Sequence, residues 1–246
     1  MTKPNWPFSV TFFTLTRLLL VCFTWTLLLP GQALADEPNQ LTEAEKKAGW
    51  KLLFDGKTTQ GWRSFKKQTF PQQGWIVEDG WLKKVANVRP GDIISQEQFT
   101  DFELEWEWRL APKANNGLKY FITEERSSPV GHEYQMWDDL ERPINKSSTA
   151  GFYAVLPPLD KKSRKPAGEI NRSRILVQGN HVEHWLNGEK VLEYELGSEA
   201  VMAGVATSKF KNVSGFGTKI KGHILLTDHR DEAWYRNIKI RELPAR

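Results

Sequence analysis

Phe102-Glu103-Leu104-Glu105-Trp106-Glu107-Trp108-Arg109-Leu110 alternates apolar and charged residues without a break. Successive side chains of a strand point to opposite faces, so one face of this segment is apolar and the other charged. The same period runs outward in both directions. Upstream, Trp75-Ile76-Val77 and Trp81-Leu82 flank Asp79-Gly80, a tight-turn dipeptide, and read as a hairpin. Downstream, Leu118–Ile122, Gly131–Asp139 and Gly151–Val155 read as strands. Arg174–Val177 and His181–Leu186 form a hairpin around Gly179-Asn180, and Asn187-Gly188 turns into Lys190–Leu196. Ile220–Leu226 and Trp234–Ile240 close the chain. Short strands at this spacing, joined by Gly, Asn and Asp turns, predict an all-β sandwich or barrel. One short helix is expected over Leu41–Gly49, where Thr42 and Glu45 make a capping box and Gly49 suits the end. No long amphipathic helix separates the strands, which argues against a parallel α/β sheet. No internal repeat is visible, and the Pro- and Lys-rich stretch Leu156–Gly168 reads as a loop.

The start of the chain reads as a secretion signal. Residues 1–17 carry Lys3 and Arg17 and no acid, and an apolar run over Leu18–Leu29 ends at Pro30-Gly31. Ala33-Leu34-Ala35 fits the small-x-small rule, which puts the mature N-terminus at Asp36. The rival reading, an uncleaved anchor over Phe8–Leu29, is interrupted by Arg17. The expected organisation is a signal peptide over 1–35, a short helix and linker over 36–49, and a single domain over 50–243. The expected location is secreted or periplasmic, with no stable membrane insertion after cleavage. The only cysteine, Cys22, would leave with the signal, so the mature chain has neither disulfide nor thiolate chemistry and relies on its core. Lys3 and Arg17 would leave too, taking the formal charge from +4 to +2. Nothing resembles a nucleic-acid-binding stripe. The one basic run, Lys161, Lys162, Arg164 and Lys165, reads as a solvated loop.

Chemistry concentrates in Gly131-His132-Glu133-Tyr134-Gln135-Met136-Trp137-Asp138-Asp139. A glutamate among aromatic residues inside a sheet is either paired or working. Held in such a place, its pKa rises and it can act as a general base. Glu133 is therefore the candidate base, with Arg236 a candidate substrate-binding residue, and pairing with Arg236 or Lys119 is the structural alternative. Period two puts Gln135 on the same face as Glu133 as a hydroxyl ligand. Asp138 is a sugar or metal ligand, or else a strand-ending turn residue. Lys119 is a candidate cation for a developing oxyanion, or an exposed strand lysine. Glu169 and Asn171 share a face if extended and would bind hydroxyls, with loop capping as the alternative. Trp137, Trp185, Trp106 and Trp108 are stacking candidates, although most tryptophans of a sandwich are core. His223, Asp228 and His229 lie close in sequence without a recognised metal spacing, so Asp228 and His229 stand as metal candidates and no firm metal site is read. His181 and His184 point to opposite faces and cannot share an ion. Gly215-Phe216-Gly217 lacks a following helix start and Lys-Ser/Thr, and reads as a flexible rim loop.

These segments together resemble the 3-keto-disaccharide hydrolase domain family. The resemblance rests on Leu53-Phe54-Asp55-Gly56-Lys57 with Gly61-Trp62, Trp75–Leu82, Asp101–Leu104 with Glu107-Trp108-Arg109, and Asn115–Phe121. It continues through Gly131–Asp139, Gly168–Asn171, His181–Gly188, Gly222–His229 and Tyr235–Lys239. Their order and spacing over Leu53–Leu243 carry the match. Three positions depart from the family pattern: Ile170 replaces a tryptophan, Thr227 a glutamine and Arg230 a glycine. The first removes an aromatic surface of the kind sugars stack on. The resemblance implies a concanavalin A-like two-sheet jelly roll and a secreted bacterial protein acting on glycosides oxidised at C3. A ketone at C3 acidifies the hydrogen on C2, so a base can remove it and the C1 group leaves by elimination before water adds back. That chemistry needs a base, a cation or donor at the enediolate oxygen, and an acid for the leaving group. A divalent metal ion could serve the second role, and the cofactor is otherwise unknown. The expected partner is an oxidised sugar or glycan, with no nucleic acid. The alternatives are a lectin-like module that binds glycans without turnover, and a surface interaction domain with an exposed apolar patch.

Overall fold

The computed structural model describes residues 1–3, 5, 7, 37–159 and 163–245. The expected secretion signal lies for the most part outside these residues, as do Lys161 and Lys162. The elements run in order α1 (Glu43–Lys47), β1 (Lys51–Leu52), β2 (Trp62–Ser64), β3 (Trp75–Glu78), β4 (Trp81–Lys84), β5 (Ile93–Phe99), β6 (Phe102–Leu110), β7 (Asn115–Ile122) and β8 (His132–Trp137). There follow β9 (Asn171–Gln178), β10 (His181–Leu186), β11 (Glu189–Glu195), α2 (Glu199–Ala206), β12 (Gly222–Leu226) and β13 (Ala233–Glu242). Two sheets form a jelly-roll sandwich. One has the order β11-β10-β9-β6-β13-β4-β3 with β1 added on β13, and the other the order β2-β5-β12-β7-β8. Every strand pair is antiparallel.

The period-two reading of β6 sets the large sheet. Phe102, Leu104, Trp106, Trp108 and Leu110 are buried in the core between the sheets. Each such side chain contributes about 1.5–3 kcal/mol by leaving water. The charged face is neutralised across strands: Glu103 pairs with Arg174 and Arg241, Glu105 with Lys239, and Glu107 with Arg236. Arginines also stack on tryptophans there, Arg236 and Arg109 over Trp81 and Arg174 over Trp185. The tight turns fall where the dipeptides put them. Asp79 and Gly80 both have positive φ (50° and 76°), as do Asn187 and Gly188 (51° and 88°), the pairing that matches a hairpin's twist. The capping box of α1 forms between Thr42 and Glu45.

Three expectations fail. Gly151–Val155 is not a strand: Phe152 makes only isolated bridges to Tyr134 and Leu156, within tight turns where Ala150 and Ala154 take φ of 65° and 63°. A second helix, α2, follows the N-cap Ser198, whose side chain accepts from the Val201 N–H. Its sequence is short and nearly uncharged, so it carries no amphipathic signal. Gly215–Gly217 is not a loose rim. Phe216 is buried against Phe210 and Phe152, and the Gly217 N–H donates to His132 Nε2 at 3.0 Å. Strands β1, β2 and β5 went unread because they are short or interrupted by polar residues. Among the described residues, no helix is long and apolar enough to cross a membrane.

Candidate functional site

The site is built on the outer face of the five-stranded sheet. In β8, His132, Tyr134 and Met136 are buried toward the core, so Glu133, Gln135 and Trp137 point the other way. The register sets Lys119 across from Glu133, and Gly117 across from Gln135. A Cβ on Gly117 would overlap the Glu133 carboxylate, whose Cδ and Cγ would lie 3.0 Å from it. Glycine at 117 is therefore what leaves the carboxylate room to lie over β7.

Four carboxylate residues are buried among the described residues: Asp101, Glu103, Glu133 and Asp139. Asp101 accepts from Lys219 Nζ at 3.0 Å and the Gly179 N–H at 2.6 Å. Glu103 is held by Arg174 and Arg241. Asp139 pairs with Arg164 and accepts from Thr149. The Glu133 carboxylate has no hydrogen bond or ion pair among the described residues. Burial pushes its pKa above the ordinary 4.5, against the opposing pull of the Lys119, His229 and Lys209 charges, while Asp92 adds to the rise. Those four residues surround it. Asp92 precedes β5 and is itself raised by burial, offset by Lys119. Lys209 follows α2, its ammonium lying over the Tyr153 ring at 4.5 Å. Glu133, Lys119 and Lys209 line one cavity of about 380 Å³ with Val130, Phe210 and Val213.

His229 and Asp92 are placed by a buried clasp. Lys84 is fully buried, and its Nζ donates to Val85 O and Val88 O at 2.8 Å each and pairs with Asp228 Oδ1 at 3.0 Å. Asp228 Oδ2 accepts from the Gly91 N–H, and the Asp228 N–H donates to Asp92 Oδ1 at 2.7 Å. One ammonium thus ties the loop bearing Asp92 to the loop bearing His229.

The other sequence candidates divide. Gln135 shares the face with Glu133, its amide donating to Asn115 Oδ1 at 2.8 Å. Trp137 shares it too, with the Arg142 guanidinium 4.5 Å from its ring centre. Asp138 fastens the entry to β7, accepting from the Lys113 N–H at 2.7 Å. Arg236 lies on the other sheet, bonded to Glu107 at 2.8 Å, and does not meet Glu133. Asn171 also belongs to the other sheet, where its Oδ1 takes the Lys165 N–H and the Asn187 side-chain amide. Glu169 is exposed in a turn closed by its N–H to Pro166 O. Trp106 and Trp108 are core. Asp228 is committed to Lys84, so Asp228 and His229 do not offer a vacant metal chelate. Among the described residues one cluster has three ligand atoms at metal-binding separation, His181, Glu183 and Glu193, and it is on the other sheet with Lys190 bonded to both glutamates. Of the departures, Thr227 is buried beneath β7, where its hydroxyl accepts from the Gly117 N–H at 3.0 Å. Arg230 is exposed beside His229 in a left-handed turn, φ 67°.

Sequence reasoning missed Lys209, Asp92, Gly117 and Lys84. Lys209 and Asp92 sit in loops without a pattern, and Lys84 hides in a strand end as one of two adjacent lysines. Gly117 had a readable signal, an isolated glycine within a strand, which marks close approach of another group.

Residues 49–241 match a sequence family described as the 3-keto-alpha-glucoside-1,2-lyase-like domain. The chain is 32% identical over 231 residues to a 3-keto-disaccharide hydrolase of Bacteroides thetaiotaomicron, covering 79% of each protein. It is also similar to two crystal structures from Parabacteroides distasonis provisionally assigned as glycosyl hydrolases. One is 31% identical with a TM-score of 0.76, covering 85% of this chain and 100% of that one. The other is 25% identical with a TM-score of 0.64, covering 79% and 99%.

Proposed function

The chain belongs to the 3-keto-alpha-glucoside-1,2-lyase-like domain family, and from that premise we propose that it cleaves 3-keto-glycosides, disaccharides among them, with Glu133 as the base. The observation that carries this reading is the buried Glu133 carboxylate, which has no hydrogen bond or ion pair among the described residues and shares a cavity with two lysines. A protein that neutralises its other buried acids leaves this one free to take a proton.

In the proposed reaction Glu133 removes the proton from C2. The C2–H electron pair moves toward C3, and the ketone oxygen gains the negative charge. Lys119 and Lys209, which line the same cavity as Glu133, stabilise that oxyanion with their charges. The electrons return, the C1–C2 double bond forms, and the C1–oxygen bond breaks. The departing oxygen needs a proton, and Asp92, whose burial favours its neutral form, supplies it. Water then adds across C1 and C2, giving net hydrolysis. Gln135 and Trp137 hold the ring from the same face.

The test is incubation with a 3-keto-glucoside in heavy water, with and without a chelator. Release of the C1 group with deuterium at C2 is the expected result. Retained release on chelation leaves the oxyanion role with the lysines, and loss on chelation would move it to a metal ion. Binding of the sugar with neither release nor exchange would favour a lectin-like module instead.

We further propose that residues 1–35 direct export and are cut after Ala35, placing a domain over 50–243 outside the cytoplasm. Mass spectrometry of the protein purified from its native host would find Asp36 at the N-terminus, and an intact Met1 would refute cleavage.

A further inference from the structure

The cavity holding Glu133 and Lys119 is bounded by Val130 and Val213, and these same two side chains form part of the wall of a second cavity. The second is larger, about 600 Å³ against about 380 Å³, and both volumes suit small ligands. Its lining is of a different kind. Alongside the valines it presents Glu125, Arg126, Asn212 and Lys221, donors and acceptors that suit a polyhydroxylated ring.

Arg126 organises this space. One terminal nitrogen of its guanidinium donates to Val130 O at 2.7 Å and the other to Ser214 O at 3.1 Å. The side chain thereby bridges the two loops that form the cavity's opposite sides. A guanidinium carries five N–H donors, so two bonds leave others to offer a ligand. Its planar fork is fixed by the two carbonyls and loses little freedom when a sugar hydroxyl arrives.

The reaction's own geometry calls for such a neighbour. C1 and C2 are adjacent atoms, so a base on the C2 proton fixes the C1 substituent beside the base's own cavity. The cavity at Arg89, Asp228, His229 and Arg230 shares no lining residue with that of Glu133. The Arg126 cavity shares two. We infer that the Arg126 cavity binds the second sugar of a disaccharide, the portion that departs from C1, with Arg126 and Asn212 taking its hydroxyls. This assignment rests on the 3-keto-glycoside reading above and makes the enzyme selective for a sugar leaving group.

The experiment compares a 3-keto-disaccharide with the methyl 3-keto-glucoside, whose leaving group is too small to enter the second cavity. In Arg126→Ala, the ratio of kcat/KM for the disaccharide to that for the methyl glycoside should fall roughly tenfold, the usual worth of a lost hydrogen bond to a charged group. Arg126 also holds two loops, so Asn212→Trp, which fills the cavity without touching those bonds, should lower the same ratio. A ratio unchanged in both variants overturns the inference, as does a fall produced only by Arg89→Ala. If the wild-type protein turns over neither sugar, the elimination reading fails on its own. Calorimetric titration with the same two sugars then decides the cavity's role. Loss of the disaccharide's extra affinity in the two variants supports it, and equal affinities in wild type and variants overturn it.

Discussion

Replacing Glu133 with Gln should stabilise the protein while disabling it. The exchange keeps the side chain's shape and removes its charge. In the wild type this carboxylate is buried with no hydrogen-bond partner among the described residues, and a buried polar group left unsatisfied costs about 1–3 kcal/mol, more when charged. The positive charges of Lys119 and Lys209 offset part of that cost, so a gain of about 1 kcal/mol is a reasonable net figure. In a domain of roughly 200 residues this raises Tm by about 2–4 °C. Turnover should fall about 100- to 10,000-fold, the range for loss of a positioned base. The stability gain carries a pH signature. Because the folded pKa of Glu133 lies above its ordinary 4.5, the folded state binds this proton more tightly than the unfolded one. The associated stabilisation is complete below pH 4.5 and is lost as pH rises through the folded pKa. The variant lacks the titration, so its advantage over wild type should exist at neutral pH and vanish toward pH 4.5. Thermal melts of both proteins across this range, beside turnover at neutral pH, read both effects. A variant less stable than wild type at neutral pH, or a difference independent of pH, would mean that Glu133 is held by a favourable pairing with Lys119. That outcome would refute the reasoning.

Gly117→Ala should lower kcat about 100-fold with a small change in Tm, because its Cβ occupies the space of the Glu133 carboxylate and displaces the base. In the Glu133→Gln background the same change should cost little further activity, and kinetics of the double variant test that coupling. Lys84→Met strands Asp228 without its counter-charge and should cost about 3–5 kcal/mol in urea unfolding. Adding Asp228→Asn should recover part of this, and full additivity would speak against the clasp. His184 is buried, and its pKa is pushed down from 6.5 to about 4 by desolvation. The folded state therefore holds it neutral, so stability should fall by about 3 kcal/mol as pH drops from about 6.5 to 4. His184→Gln should flatten that slope in denaturant titrations.

The legible parts of the fold were those where one physical rule acts alone. Strand β6 shows its period because its inner face meets only the core and the glutamates of its outer face meet charged strand neighbours. The turns at Asp79-Gly80 and Asn187-Gly188 announce themselves because few residues accept positive φ. The segment Gly151–Val155 reads as a strand because it is apolar, yet its buried residues pack into the core from turns and lack period two. Helix α2 was invisible for the complementary reason: it buries Val201, Gly204 and Val205 but shows no polar stripe to reveal the helical period.

The candidate site divides along the same line. Residues within one strand pair were legible together, because a strand's alternation places Glu133, Gln135 and Trp137 on a face, and the register supplies Lys119. Residues brought in from other parts of the chain were not. Arg236, a substrate-binding candidate and one of two possible structural partners for Glu133, is instructive. Its strand β13 belongs to the opposite sheet, where the β6 acids await cations, and Glu107 holds it there. Arg236, Lys239 and Arg241 of β13 and Arg174 of β9 are thus consumed in balancing the charged face of β6. Glu133, on the other sheet, receives its positive neighbours from β7 and from the loops bearing Lys209 and His229. Cations set around it without bonding to it hold it ionisable and leave its oxygens to a substrate, the condition a base requires.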